Sequence, residues 1–112
     1  MKIALPMAQG SLCLHFGHCD AFAVYDVDTK NKKILNSGLL DAPPHQPGLF
    51  PVWLGEQGVN LVIAGGMGGR AIDLFSQAGI QVIVGAPSSP TEEVVNAYLA
   101  GTLTTSGNVC DH

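Results

Sequence analysis

Residues 61–84 read LVIAGGMGGRAIDLFSQAGIQVIV, a pattern that predicts a strand, a helix and a second strand in succession. Leu61–Ala64 is short and wholly apolar, as expected of a central parallel strand covered on both faces. A glycine-rich turn follows, and the apolar residues of 71–78 then recur at helical spacing until Gly79 ends the helix. Gln81–Val84 is predicted to be a second buried strand. The two strands are therefore predicted to be parallel and joined by a right-handed crossover.

The preceding half of the chain has the pattern of an antiparallel unit. Lys2–Pro6 predicts a short first strand closed by proline, and Ala21–Asp28 alternates apolar with smaller or polar residues, as a strand does. The polar run Thr29–Lys33 predicts a hairpin turn, and Ile34–Leu40 predicts the returning strand. Met7–Asp20 contains glycines and shows no clear period, so it is predicted to be a long loop.

Two further helices are predicted. Apolar residues recur at helical spacing within 49–57, directly before a glycine. Ser89, Pro90 and Glu92 match an N-cap, a first-position proline and a capping box, so the last helix is predicted to start there and to stop at Gly101.

These elements predict an α/β protein of three layers, with helices on both faces of a mixed five-stranded sheet. Numbered along the chain, the predicted strands take the order 3-2-1-4-5 with strand 2 antiparallel, which is the ribonuclease-H-like arrangement. Residues 1–103 are predicted to form a single domain, since 112 residues leave room for one core, and residues 104–112 a flexible C-terminal tail.

Composition excludes several classes of protein. Hydrophobic residues make up 46% of the chain and charged residues 12%, which favours a folded domain over a disordered one. The formal net charge is −4 and no basic face is evident, so the pattern argues against a nucleic-acid partner. Neither a membrane span nor a signal peptide is expected, and we predict a cytoplasmic protein, in which thiols stay reduced.

Six of the seven cysteine and histidine residues lie in two short segments. The predicted metal ligands are Cys13, His15, His18, Cys19, Cys110 and His112. Thiolate and imidazole are the groups that bind soft transition metals and iron–sulfur species. The alternative interpretation is packing: a histidine that caps a loop and a cysteine that acts as a small core residue. His45 stands alone in a proline-rich segment and is interpreted as a solvated or turn residue.

The glycine turn after Leu61–Ala64 predicts an anion site. Its residues Gly66, Gly68, Gly69 and Arg70 combine bare amides at a helix start with a full positive charge. Carboxyl ends of parallel strands meet at one sheet edge, so the turn and the cysteine–histidine loop are expected on the same edge. That pairing suits sulfide-bridged metal clusters, which are commonly anionic.

Besides a metallocluster site, the sequence has three other interpretations: strand–helix packing, dinucleotide binding and nuclease activity. Tight strand–helix packing also uses glycine. The turn matches G-x-G-x-x-A, but the next strand ends without the acidic residue that would bind a dinucleotide's ribose. A two-metal nuclease would need carboxylates on the central strands, and the predicted strands there carry none.

Across most of its length the chain resembles the dinitrogenase iron–molybdenum cofactor biosynthesis family. The matching stretches are His15–His18, Phe22, Gly48–Leu49, Trp53–Leu54, Gly58–Ala71, Gly79–Val82 and Tyr98–Leu103. The resemblance implies a ribonuclease-H-like fold and a role in binding or carrying iron–sulfur-based metal cofactors or their precursors. Many members have arginine at the second loop histidine, so His18 exchanges a positive charge for a ligand.

We therefore predict a non-catalytic carrier or scaffold for an iron–sulfur-type metallocluster containing iron, molybdenum or copper. Its predicted partners are proteins that donate and accept the cluster, and Cys110 and His112 are predicted to close the site. The alternatives are a regulatory or interaction domain that binds a small anion or a partner protein, and a simple zinc-binding module. The sequence leaves the oligomeric state open.

Overall fold

The computed structural model describes residues 1–8, 11–13, 19–41 and 49–105. These ranges contain six strands and three helices. In chain order the elements are β1 (Lys2–Ala8), β2 (Ser11–Leu12), β3 (Ala21–Asp28), β4 (Lys33–Asp41), α1 (Leu49–Glu56), β5 (Leu61–Ile63), α2 (Gly69–Gln77), β6 (Gln81–Ile83) and α3 (Thr91–Ala100).

The strands form one mixed sheet in the order β4-β3-β1-β5-β6, with β2 paired to β1. β3 is antiparallel to both β1 and β4, whereas β1, β5 and β6 are mutually parallel. Apart from β2, this is the predicted ribonuclease-H-like order 3-2-1-4-5, and the predicted fold class is confirmed.

Helices cover the sheet on both faces. Alternate residues of β1 point to opposite faces, so Ile3 and Leu5 pack in the cluster that contains Val94 and Val95 of α3. Ala4 packs on the other face, in the cluster formed with α1 and α2. β5 is buried on both faces, as predicted.

Two predictions about the first strand and its loop were wrong. β1 does not close at Pro6 but continues to Ala8, and the predicted loop Met7–Asp20 contains β2. The Pro6 carbonyl accepts the Cys13 N–H at 2.8 Å, so the backbone of Pro6 faces β2 and not β3. Proline is tolerated there because its missing N–H costs no hydrogen bond to β3.

β2 lies beside β1 where β5 has ended. β5 pairs with Ile3 and Ala4 of β1, whereas β2 pairs with Met7 and Ala8. β3 occupies the opposite side of β1 as far as Met7, so β2 must lie on the β5 side. The hairpin of β1 and β2 therefore extends the centre of the sheet beyond the carboxyl end of β5.

The predicted capping box at the start of α3 is not formed. Pro90 is the N-cap residue, the helix begins at Thr91, and no side chain caps it. The Ser89 carbonyl instead accepts the Leu12 N–H at 3.0 Å, and the Ser88 hydroxyl donates to the Leu12 carbonyl at 3.0 Å. The loop before α3 is thus a backbone partner of β2, and this pairing replaces the local cap.

The end of α3 and the last strand give one confirmation and one correction. Gly101 ends α3 with a left-handed φ of 74°, as predicted. β6 is not a buried strand: Gln81 is exposed and Val82 is half-buried, because β6 lies at the edge of the described sheet.

In the described ranges no helix has the length and apolar character needed to cross a membrane.

Candidate metallocluster site

The glycine turn, the loop after β6 and β2 meet at the edge formed by the carboxyl ends of β1, β5 and β6. Because these three strands are parallel, their carboxyl ends lie at the same end of the sheet. The Gly85 N–H donates to the Gly65 carbonyl at 2.9 Å, and the Ala86 N–H to the Ala64 carbonyl at 3.2 Å. The loop after β6 is thereby tied to the glycine turn, and through Ser89 it is also tied to β2.

Cys13 directly follows β2 and is buried, with 8% of its surface exposed. Its N–H bond to Pro6 continues the antiparallel pairing of β2 with β1. Backbone pairing on both sides of Leu12 holds this cysteine against the end of β1, so its position is set by the sheet.

Cys19 lies on the other side of β1. The N–H of its neighbour Asp20 donates to the Met7 carbonyl at 2.9 Å, on the side that β3 occupies. The half-buried Cys19 side chain packs against the apolar cluster that includes Phe22 and Met67. Neither Cys13 nor Cys19 forms a disulfide, and together they bracket the carboxyl end of β1.

The pKa of the Cys19 thiol is raised from 9.0 to about 11, chiefly by burial and to a smaller extent by the nearby Cys13 and Asp20, while a backbone hydrogen bond acts in the opposite direction. The thiol is therefore protonated at neutral pH. A metal cation that binds there must displace the proton, and its positive charge then offsets the cost of burying the negative thiolate.

The predicted glycine turn has a buried half and an open half. Gly66 and Met67 are buried, whereas Gly69 and Arg70 are exposed. Gly68 is the N-cap of α2 and offers no side-chain cap, and the first turn of α2 carries no acidic residue. The first-turn amides have no partner within the helix, so the open half, Gly68–Arg70, can bind an anion.

Four of the six predicted ligands, His15, His18, Cys110 and His112, lie outside the described residues, as does His45. Among the residues that are described, no group of three or more histidine, cysteine or acidic side chains could hold a metal ion. The described part of the site thus consists of two thiols and the amide-rich turn.

The sequence interpretation missed the contact between β2 and the loop before α3. Leu12 is almost fully buried, at 1% exposure, and its backbone bonds position Cys13. A signal was present: Ser11, Leu12, Cys13 and Leu14 alternate polar or small with apolar residues, which is typical of a strand. The glycines around this short alternation outweighed it.

The family described as dinitrogenase iron-molybdenum cofactor matches residues 1–101. The chain belongs to this family. The matched range contains both cysteines of the first segment and the whole glycine turn, and it excludes Cys110 and His112. By its name the family is associated with a metallocluster cofactor.

Two relatives cover nearly the whole of this family member. An uncharacterized protein of Methanocaldococcus jannaschii is 30% identical over 106 residues, which are 92% of this chain and 89% of that protein. The crystal structure of PH0822 is similar with a TM-score of 0.87 at 26% identity, over 95% of each chain.

A more distant structure shares the fold. The apo form of the orange protein from Desulfovibrio gigas is similar with a TM-score of 0.73 at 21% identity, covering 96% of this chain and 93% of that one. At that identity the likeness supports the three-layer α/β architecture alone.

Proposed function

We propose that this protein binds an iron–sulfur-type metallocluster or a precursor of one, and carries it from a donor protein to an acceptor protein without turnover of its own. The observation that carries the proposal is the shared sheet edge. Cys13 and Cys19 bracket the end of β1 at the edge from which the glycine turn leads into α2.

The sulfur half of the proposed site is Cys13 and Cys19, with His15 and His18 between them in the sequence. Thiolates and imidazoles are soft and borderline ligands that suit iron, copper and molybdenum–sulfur species. Cys110 and His112 complete the proposed set. Because Cys19 is protonated without metal, cluster binding releases a proton from it.

The anion half is the open part of the glycine turn. A cluster with bridging sulfides and thiolate ligands carries net negative charge, which the N-terminus of α2 and the exposed Arg70 stabilise. A Cβ built on Gly69 would meet no atom within 4 Å, so a bulky anion has room to approach the amides there.

The proposal is tested by anaerobic reconstitution with ferrous iron and sulfide, with and without molybdate or copper(I). We expect visible charge-transfer absorption and bound metal in the wild type. His15→Ala combined with Cys19→Ala removes a ligand of each kind and should abolish uptake while the unfolding curve keeps its shape. His45→Ala is the matched control, since it removes a histidine outside both ligand segments, and should bind as the wild type does.

Two other results would support a different function. A protein that stays colourless and free of metal under these conditions supports a regulatory or interaction domain. A colourless protein with one stoichiometric zinc supports a zinc-binding module. Uptake that is unchanged in the His15→Ala/Cys19→Ala variant would contradict the proposed ligand set.

A further inference from the structure

β4 is the outermost described strand on its side of the sheet, and among the described residues only β3 pairs with it. Alternate residues of a strand direct their backbone N–H and C=O groups to the same side, so about half of β4 presents these groups outward. Natural sheets usually protect such an edge by short length, proline, charge or a β-bulge. β4 has 9 residues, no proline and no charged residue between its two ends. Its register with β3 shifts at Leu35, so residues 36–41 form the regular part of this edge.

Apolar side chains are exposed along this edge. Leu35 is 67% exposed and Leu39 is 66% exposed, and they account for two of the four large hydrophobic residues that are exposed in the described part of the chain. An uncovered strand edge with exposed leucines favours pairing with another strand.

A groove of about 210 Å³ lies beside β4 on the face that carries α1. Val24 of β3 and Gly38 of β4 are direct cross-strand partners and line it, and Gln57 after α1 lines it from the helix side. A Cβ built on Gly38 would meet nothing within 4 Å. A glycine inside a regular strand often marks the place where a ligand or another backbone approaches closely.

Positive charge is concentrated where β4 begins. Lys30, Lys32 and Lys33 are all exposed and supply three of the five positive charges of a chain whose formal net charge is −4. The carboxylate of Asp28 is engaged locally, since it accepts hydrogen bonds from Lys30 and Asn31 backbone N–H groups and from the Asn31 side chain.

The geometry points to the outer edge of β4 as a docking site for an extended segment of a partner protein, with apolar residues in its middle and carboxylates at one end. Main-chain hydrogen bonds to β4 would hold the segment, an apolar side chain would enter the groove at Gly38, and the carboxylates would meet Lys30, Lys32 and Lys33. Antiparallel addition continues the β3–β4 pairing and places the acidic end at the carboxyl terminus of the segment.

The probe is a synthetic peptide of about ten residues that alternates valine with threonine, has leucine at the position opposite Gly38, and ends in glutamates. It is titrated into metal-free, isotope-labelled protein while backbone amide resonances are followed, so the result does not depend on cluster binding. We expect a dissociation constant below about 1 mM, with shifts concentrated in β4 and the β3–β4 turn.

Backbone pairing is tested on the peptide itself. Two further peptides carry N-methyl groups on alternate nitrogens, one in each phase. Strand addition predicts that one phase abolishes binding and that the other preserves it, because only every second N–H faces β4. Equal affinity of the two phases, or a lack of shifts in β4 with the unmodified peptide, would overturn the proposal.

Charge and groove are tested by matched variants. Lys32→Glu should weaken binding at least about tenfold, whereas Arg70→Glu, an equal charge change at the start of α2, should leave it unchanged. Gly38→Val fills the groove and should also weaken binding about tenfold, while its thermal unfolding shows that the strand is intact. A peptide with glycine in place of leucine should likewise bind the unaltered protein about tenfold more weakly. Equal weakening by Lys32→Glu and Arg70→Glu would show nonspecific attraction and contradict the docking site.

Discussion

Asp28 shows at the residue scale how one side chain shapes a turn. Its carboxylate accepts the N–H of Lys30 at 3.0 Å, the N–H of Asn31 at 3.1 Å and the Asn31 side-chain amide at 2.7 Å. These hydrogen bonds, chiefly those from Asn31, lower the pKa of Asp28 below 3.8. The ionised carboxylate therefore stabilises the turn between β3 and β4.

The difference in unfolding free energy between the wild type and the Asp28→Asn variant should depend on pH. The lowered pKa of the folded state means that the contribution of the charge is complete above pH 3.8 and is lost as the pH falls through the folded pKa. The variant should be less stable than the wild type at neutral pH, and the difference should shrink in acid. Urea unfolding of both proteins over this range measures it, and a difference that stays constant would contradict the assignment.

The positions of Cys13 and Cys19 could be predicted only in part from the sequence. The pattern placed Cys13 and Cys19 at the same sheet edge as the glycine turn, and the described geometry agrees. It did not reveal that the cysteines lie on opposite sides of β1. That arrangement depends on β2, which pairs with β1 on the same side as β5, beyond the point where β5 ends. Such a position is set by tertiary contacts and not by spacing along the chain.

At the scale of elements, the start of α3 shows a local signal overridden by a tertiary contact. Ser89, Pro90 and Glu92 have the spacing of a capping box, yet the helix starts at Thr91 without a side-chain cap. The loop at Ser89 instead pairs with Leu12 through the backbone, and this pairing anchors β2. The bounds of β3 agree with those expected from periodicity, and α3 ends at the glycine that predicts its end.

Ser88 and Ser89 provide a matched pair that tests this explanation. Ser88→Ala removes the hydroxyl that donates to the Leu12 carbonyl and should lower the free energy of unfolding by about 1 kcal/mol. Ser89→Ala should change it by less than about 0.5 kcal/mol, because its side chain does not cap α3. Chemical denaturation of both variants decides between the two arrangements. A larger loss for Ser89→Ala would indicate that the capping box forms after all.

At the scale of the whole molecule, the sheet order was predictable because short apolar runs, a hairpin and right-handed crossovers leave few topologies. The exposure of β6 was missed because Gln81–Val84 has the composition of a buried strand, although the predicted order 3-2-1-4-5 already places this strand at an edge of the sheet. Within the described residues the proposed site consists of Cys13, Cys19 and the start of α2.

Opposite ends of the molecule should have separable roles. Arg70 lies at the proposed cluster edge, whereas Lys32 lies in the turn beside the amino end of β1. Arg70→Glu should weaken cluster binding about tenfold, which corresponds to about 1.4 kcal/mol, because it places a negative charge beside an anion. Lys32→Glu changes the net charge equally and should leave cluster binding unaltered. Competition with a chelator measures both, and equal weakening would mean that overall charge, and not the α2 N-terminus, attracts the cluster.

The metal and sulfide content of anaerobically isolated protein, measured together with its visible spectrum, tests the central claim most directly. The wild type should be coloured and contain metal and sulfide, whereas Cys13→Ser combined with Cys19→Ser should be colourless and metal-free with an unchanged fold. A colourless wild type without metal, or a double variant that retains the full metal content, would contradict the assignment of this sheet edge to a metallocluster.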